Sequence, residues 1–210
     1  MKDDITRRIG LPSGVTANIA GTMLTIKGPK GEVQREFLHP KIAIMLQPIE
    51  KKEASGKTST AVDKSSADKS SADKSKGDMD VVLFSKRATK REKKDLNSFA
   101  AHIRNTVKGV QAPHVYRLKI CSGHFPMSVA VSGQEFVVKN FLGESVPRKF
   151  LLPKGVKVKV EGTEVMVESP DKEMAGLTAS KIEQLCVIKG RDLRIFQDGC
   201  YIVHKAGKGI

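Results

Sequence analysis

The side chains best suited to nucleophilic or metal chemistry are scattered through this sequence. Its five histidines stand at 39, 102, 114, 124 and 204, and no pair sits at i, i+4 on a helix-like stretch. Cys121, Cys186 and Cys200 form no CxxC pair and no Cys/His cluster, so no zinc site is expected. An odd, dispersed set of thiols fits a reducing, cytosolic compartment. Asp192 and Asp198 lie close in sequence but are interleaved with Arg191 and Arg194; they read as groups that orient basic side chains rather than as an acid/base pair. There is no Gly-x-Ser-x-Gly elbow. Gly28-Pro29-Lys30-Gly31 is glycine-rich, yet a phosphate-cradling loop needs Gly-Lys-Ser/Thr opening a helix. Here a proline sits inside and strand-like Glu32–Phe37 follows, which reads as a tight turn. No catalytic residue, metal or cofactor is expected, and the chain does not read as an enzyme.

What the residues do offer is phosphate binding. Lys and Arg number 37 against 23 acids, a net charge of +14. A polyanion is the natural partner, because each neutralised phosphate releases condensed counterions. The cations gather in three places. Residues 85–94 carry Lys86, Arg87, Lys90, Arg91, Lys93 and Lys94 against the single acid Glu92, a local +5. Residues 139–159 carry Lys139, Arg148, Lys149, Lys154, Lys157 and Lys159 against Glu144, again +5. The C-terminal stretch holds Lys189, Arg191, Arg194, His204, Lys205 and Lys208, and Gly207 and Gly209 predict a flexible basic tail. Each cluster has a plainer reading as a solvated charge run, polar sheet face or frayed end. Aromatics make up only 5% of the chain, so backbone and shape contacts are expected rather than base stacking on a platform.

The elements that must position these cations follow from periodicity. Apolar–polar alternation predicts strands at Lys41–Leu46, Asp80–Ser85, His114–Ile120, Met127–Val131, Phe136–Lys139 and Gly199–His204. Leu96, Phe99, Ala100, Ile103 and Val107 share one helical face and predict a helix over 90–108, opened by a Thr89/Glu92 capping box and closed by Gly109. That places the first basic cluster at a helix N-terminus, where free amides and the dipole favour an anion. A second helix is predicted over 171–187, with Met174, Leu177 (or Thr178), Ile182 and Leu185 facing inward and Gly190 as its stop. In Val156–Val160, Lys157 and Lys159 alternate with valine, which predicts a basic sheet face over an apolar one.

The chain also echoes itself. Leu11-Pro12-Ser13-Gly14-Val15 and Leu152-Pro153-Lys154-Gly155-Val156 each lead into an alternating segment around a central Gly-Thr; slid by 141, the two match at 7 of 20 positions. Each copy reads as a β-hairpin with glycine supplying a positive φ. The expected fold class is α+β: two duplicated small domains, 1–112 and 113–210, each an antiparallel sheet packed against one helix. Residues 51–77, in which Ser-Ser-Ala-Asp-Lys recurs, carry 7 Lys and 4 acids and almost nothing apolar; they read as a flexible insertion in the first domain. No apolar run follows Met1-Lys2-Asp3-Asp4 and none approaches membrane-spanning length. A soluble, cytoplasmic protein with no membrane partner is expected.

With these segments in hand, the chain resembles the ribosomal protein six family of the large subunit (the eukaryotic family was long called L-nine), in its archaeal and eukaryotic branch. The blocks that carry the resemblance are Thr25-Ile26-Lys27-Gly28-Pro29-Lys30-Gly31, Val107-Lys108-Gly109-Val110, Gly123-His124-Phe125-Pro126, Lys139-Asn140-Phe141-Leu142-Gly143-Glu144, and Lys189-Gly190-Arg191-Asp192-Leu193-Arg194 with Phe196, Asp198-Gly199 and Tyr201. The family often has a Trp pair before the first helix, where this chain has Val82-Leu83-Phe84. The resemblance implies a structural role in the large ribosomal subunit. The implied partners are large-subunit rRNA near the sarcin-ricin loop, neighbouring ribosomal proteins, and translational GTPases close by. It adds His124 to the expected RNA contacts and gives the C-terminal domain the larger share of them. The alternative is a free RNA-binding regulator or ribosome assembly factor.

Overall fold

Alternation and helical periodicity generate two similar sets of elements in the computed structural model, which describes residues 3–48 and 79–209. The first set is β1 (Asp3–Gly10), β2 (Thr16–Ala20), β3 (Met23–Gly28), β4 (Gly31–Glu36), β5 (Ile42–Pro48), β6 (Met79–Ala88) and α1 (Lys90–Gln111). The second is β7 (His114–Cys121), β8 (Ser128–Ser132), β9 (Glu135–Lys139), β10 (Arg148–Leu151), β11 (Lys157–Glu161), β12 (Glu164–Ser169), α2 (Lys172–Leu185), β13 (Gly199–Lys205) and β14 (Lys208–Gly209). The fold is α+β, as the patterning predicts, and every pairing among the described strands is antiparallel. The Ser/Ala/Asp/Lys segment 51–77 lies outside the described residues.

The duplication is written in the topology. One sheet of the first set has the order β1-β6-β5, and the second set repeats it as β7-β12-β11, extended past β7 by β13 and β14. The other sheet is β2-β3-β4 in the first set and β8-β9-β10 in the second. The repeat is therefore real, but the 141-residue slide pairs the wrong hairpins. It lays β2–β3 on β11–β12, whereas the topological counterpart of β2–β3 is β8–β9, a shift of 112 from Gly21 to Gly133. The physical reason is that all three hairpins share one local code. Gly21, Gly133 and Gly162 take φ of 63°, 60° and 58° at the first turn position, a demand that any two-residue hairpin of this kind makes on its sequence.

Each set closes over its own core. Leu96, Ala100, Ile103 and Val107 of α1 bury against Ile26, Val81 and Leu83, and Phe99 meets Phe37 edge-on at 5.1 Å between centroids. In the second core Ala175, Thr178, Ala179 and Ile182 of α2 pack with Leu118, Phe136, Val138 and Val165. Thr178, not Leu177, takes the inward position: its hydroxyl donates to the Met174 carbonyl at 2.8 Å, while Leu177 is 52% exposed.

Three boundaries depart from expectation. The capping box forms as predicted, with Glu92 folded back on Thr89, but α1 runs through Gly109 to Gln111. Gly109 is needed for a close approach instead: a Cβ there would overlap the Pro170 carbonyl oxygen and stand 2.9 Å from the His114 ring. Helix α2 ends at Leu185, well before Gly190, and Arg148 donates to the freed carbonyl of Leu185 and to that of Val187 at 2.7 and 3.2 Å. The tail carries regular structure through Gly209. Ala206 and Gly207, with φ of 43° and 94°, form a tight turn that pairs Lys208 and Gly209 back onto β13.

The two cores meet along a glycine-lined seam. Gly28 faces Val110, Gly31 and Gly109 face Pro170, and Lys30 N–H donates to the Val110 carbonyl at 3.0 Å. Glu173, in the first turn of α2, bridges to Arg35 at 2.8 Å and to His102 of α1 at 2.7 Å.

Candidate nucleic-acid interface

At the start of α1, Lys86, Arg87, Lys90, Arg91, Lys93 and Lys94 are all exposed and lie within one strand end and one helical turn. Arg87 sits at φ 49°, held by its N–H donating to Asp4 Oδ1 at 2.7 Å. Lys94 makes a 3.6 Å contact with Asp95. The one acid of the cluster is already neutralised. Lys41 Nζ lies 2.9 Å from Glu92, and the hydrogen bonds from Lys41, its own amide and Thr89 hold the Glu92 carboxyl down at about 2. This corrects one expectation. The helix N-terminus is only partly open to an outside anion, because Glu92 and Thr89 cap each other and take up the amides of Thr89 and Glu92. The amides of Lys90 and Arg91 are what it leaves beside the side-chain cations.

The second cluster divides. Lys139 is exposed at the end of β9, and Lys149 on β10 reaches Glu135 at 3.5 Å. Lys157 and Lys159 do alternate outward on β11, but the register sets Lys157 opposite Glu168 and Lys159 opposite Met166. On the same face β7 adds Arg117 and Lys119, with Lys119 opposite Glu164. That face is a mixed-charge surface, not the basic one predicted from β11 alone, because the acids arrive on a neighbouring strand.

Arg148 is engaged within the fold. Its Nε and Nη2 donate to Glu144 at 2.8 and 2.6 Å, its Nη1 donates to the Leu185 and Val187 carbonyls, and its guanidinium lies 4.2 Å from the Phe141 ring centroid. The Arg148 donor beside Glu144 holds that carboxyl below its ordinary value. A guanidinium with all its edges engaged clamps the end of α2 and has little left for phosphate. Arg148→Ala is expected to lower stability by about 2 kcal/mol in urea titration, since the bonds to Glu144 and to the Leu185 and Val187 carbonyls are lost together. Arg148→Lys should recover less than half of that. If the alanine variant unfolds at the wild-type midpoint, the clamp is not holding.

The third cluster is where the chain brings distant residues together. Lys189, Arg191 and Arg194 are exposed in the segment between α2 and β13, and Lys205 and Lys208 flank the final turn. The segment is held from within. Asp192 accepts from the Arg194 amide at 2.9 Å, and its carbonyl accepts from Ile195 and Phe196 at 3.2 and 3.0 Å. Asp198, 2% exposed, accepts from the amides of Gly123 and His124 and from His124 Nδ1 at 2.9 Å. Burial alone would push its carboxyl up; those three donors bring it below its ordinary value. The His124 ring stacks on Phe196 at 4.5 Å, and the Arg191 guanidinium lies 4.8 Å from the same ring. Asp198 thus does orient a basic side chain, but that of His124, 74 positions away, which spacing could not reveal.

Around these cations the surface is unexpectedly apolar. Leu193 and Ile195 are 62% and 63% exposed, and Val187, Tyr201 and Val203 are open as well. Beside them lies an open cleft of about 590 Å³ lined by His124, Ser122, Ile195, Gln197 and Tyr201, among others. Its partial burial raises the Tyr201 hydroxyl above its ordinary value. Sequence reasoning quoted Tyr201 only within a matching block and did not single out Ser122 or Gln197; only the fold gathers them. Among the described residues, no group of three His, Cys, Asp or Glu could hold a metal ion, and no helix is long and apolar enough to cross a membrane.

Comparison with known proteins follows the same ground. A family model described as ribosomal protein L6 matches residues 125–199, which include much of this third surface. The chain is 40% identical to large ribosomal subunit protein uL6 of Nanoarchaeum equitans, over 98% of this chain and 96% of that protein. It is 36% identical to uL6 of Aeropyrum pernix, over 96% and 94%, and 37% identical to uL6 of Methanosarcina mazei, over 98% and 100%.

Proposed function

The chain belongs to the ribosomal protein L6 family, and from that premise we propose that it is a structural, non-enzymatic constituent of the large ribosomal subunit in the cytoplasm, holding large-subunit rRNA. Two domains, 1–112 and 113–210, would each bring a basic surface, with the second making the larger contact. The sarcin-ricin loop, with the docking site for translational GTPases beside it, is the rRNA neighbourhood we assign to it. Neighbouring ribosomal proteins would cover Leu193 and Ile195. The observation that carries this reading is the third cluster, where Lys189, Arg191 and Arg194 stand among exposed apolar side chains on an internally braced segment. Contiguous apolar surface rimmed by charge marks an interaction face, and cations there supply the salt-dependent grip that polyanion binding needs.

The test is where the tagged protein sediments after a high-salt wash. Wild type is expected with large subunits and translating ribosomes at one copy each. Alanine at Lys189, Arg191 and Arg194 together is expected to release it at lower salt, and to flatten the salt dependence of rRNA binding by roughly 2–3 in log–log slope if each side chain neutralises one phosphate. A triple variant that assembles normally and resists the wash removes these residues from the interface. Wild type found only on immature particles turns the reading to an assembly factor.

A further inference from the structure

Aromatic residues are rare in this chain, yet the fold collects several at one edge of the second core. His124 is fixed on two sides, by Asp198 through Nδ1 at 2.9 Å and by stacking on Phe196 at 4.5 Å, so its Nε2 remains for an outside partner. Tyr201 lies over Gly199, where a Cβ would stand 3.4 Å from two of its ring carbons and its phenol oxygen. Both rings line the same cleft of about 590 Å³, a size within the range of small-molecule sites.

The lining decides what would enter. It holds no Lys or Arg; it offers two rings, the apolar Ile195, the Ser122 hydroxyl and the Gln197 amide. A bare phosphate would be poorly served by that set. A flat, largely apolar group with donors and acceptors along one edge would be well served, because rings supply stacking and an amide presents both a donor and an acceptor. Cations stand next to the cleft rather than inside it, with Arg191 against Phe196 beneath His124. That arrangement suits a nucleotide whose base turns in while its phosphate stays out. We propose that this cleft is a base pocket, which takes one unpaired nucleobase of the bound RNA between the rings of His124 and Tyr201 and reads its edge with Ser122 and Gln197. A base within a duplex cannot reach it, so the nucleotide must be one that is splayed from its helix. The inference rests on the rRNA-binding reading above.

The experiment uses large subunits in which the full-length protein is wild type, Tyr201→Ala, Tyr201→Phe or Gln197→Ala. Their rRNA is probed with dimethyl sulfate and a carbodiimide, which modify unpaired base edges. The same one or two nucleotides are expected to gain reactivity about five-fold or more with Tyr201→Ala and with Gln197→Ala, and to stay protected with Tyr201→Phe, which keeps the ring. If Tyr201→Ala and Gln197→Ala subunits, each with one copy of the protein, show the wild-type pattern, there is no base pocket, though the protein still sits on the RNA. If even the wild-type protein is missing from large subunits, the ribosomal reading fails and the pocket with it.

Discussion

Gly109→Ala is expected to destabilise the chain by about 3 kcal/mol and to separate the unfolding of its two cores. In an isolated helix the same change would stabilise by roughly 1 kcal/mol, because alanine is the better helix former. Here the contact dominates. The added methyl would overlap the Pro170 carbonyl oxygen and lie 2.9 Å from both the Pro170 carbonyl carbon and the His114 ring. Two of these neighbours are backbone and cannot rotate away, so the end of α1 and the start of α2 must move apart. Overpacking of well-packed sites costs about 1–3 kcal/mol, and rigid neighbours put this one at the upper end. Two comparisons isolate the cause. Gly209→Ala meets nothing within 4 Å and should be neutral. Gly133→Ala also meets nothing but sits at φ 60°, so it should cost only about 1–2 kcal/mol of backbone strain. Moving the helix ends apart would also pull Glu173 from Arg35 and His102. Urea unfolding followed by far-UV circular dichroism and by limited proteolysis should show one transition in the wild type and two in Gly109→Ala. A wild-type midpoint in the variant would mean that the seam is not packed as described.

Gly109 also shows what patterning can and cannot reveal. The glycine was legible as special, but a glycine after a periodic run is ambiguous between a helix stop and a place where another backbone comes close. Only the partner, Pro170, resolves it. Helix α1 was otherwise legible because Leu96, Ala100, Ile103 and Val107 form an unbroken apolar face. The face of α2 was harder to read because small residues build it: Ala175 and Ala179 bury where larger apolar side chains were expected, and of the two residues offered at the next place Thr178 is the one inside. Strand β1 escaped notice for a different reason. It is an edge strand, and of its eight residues only Ile9 is buried, so no alternation is imposed on it. The fold class came through despite a misaligned repeat, since the code of a glycine-turn hairpin is local and the duplication is topological.

For the interface, charge was legible and pairing was not. The clusters at 85–94 and 189–194 remain as exposed cations, but the strand neighbours that make the β11 face mixed, and the carbonyls that occupy Arg148, lie far away in sequence. The scarcity of aromatics argued against a stacking site. Composition counts residues, however, and cannot count where they meet; His124, Phe196 and Tyr201 come from two separate segments that Asp198 ties together.

That tie makes Asp198→Ala the second large effect, a loss of about 3 kcal/mol near neutral pH. The carboxylate is almost wholly buried and accepts from two amides and an imidazole. Removing it takes the acceptor from three donors at once and leaves a hole where the buried carboxylate stood, which together cost more than the net value of one bond. Asp198→Asn should cost about half as much: one oxygen still accepts from Gly123 and His124, while the amide nitrogen faces His124 Nδ1. The pH dependence has a definite sign. The folded carboxyl lies below its ordinary value of 3.8, so as pH falls the unfolded chain takes up a proton first. The stabilisation is complete above that ordinary value and disappears as pH falls through the lower, folded one. Wild type and Asp198→Ala should therefore differ most at pH 7, still differ at pH 5, and draw closer as the pH drops below the folded value. A gap that is the same at every pH would show that the lost volume, and not the charge, is responsible. The same substitution frees His124 from its brace, so large subunits carrying Asp198→Ala should lose base protection at the cleft even where the protein remains bound. Stability and recognition would then fail through one carboxylate, because the group that satisfies the loop is also the group that orients the ring.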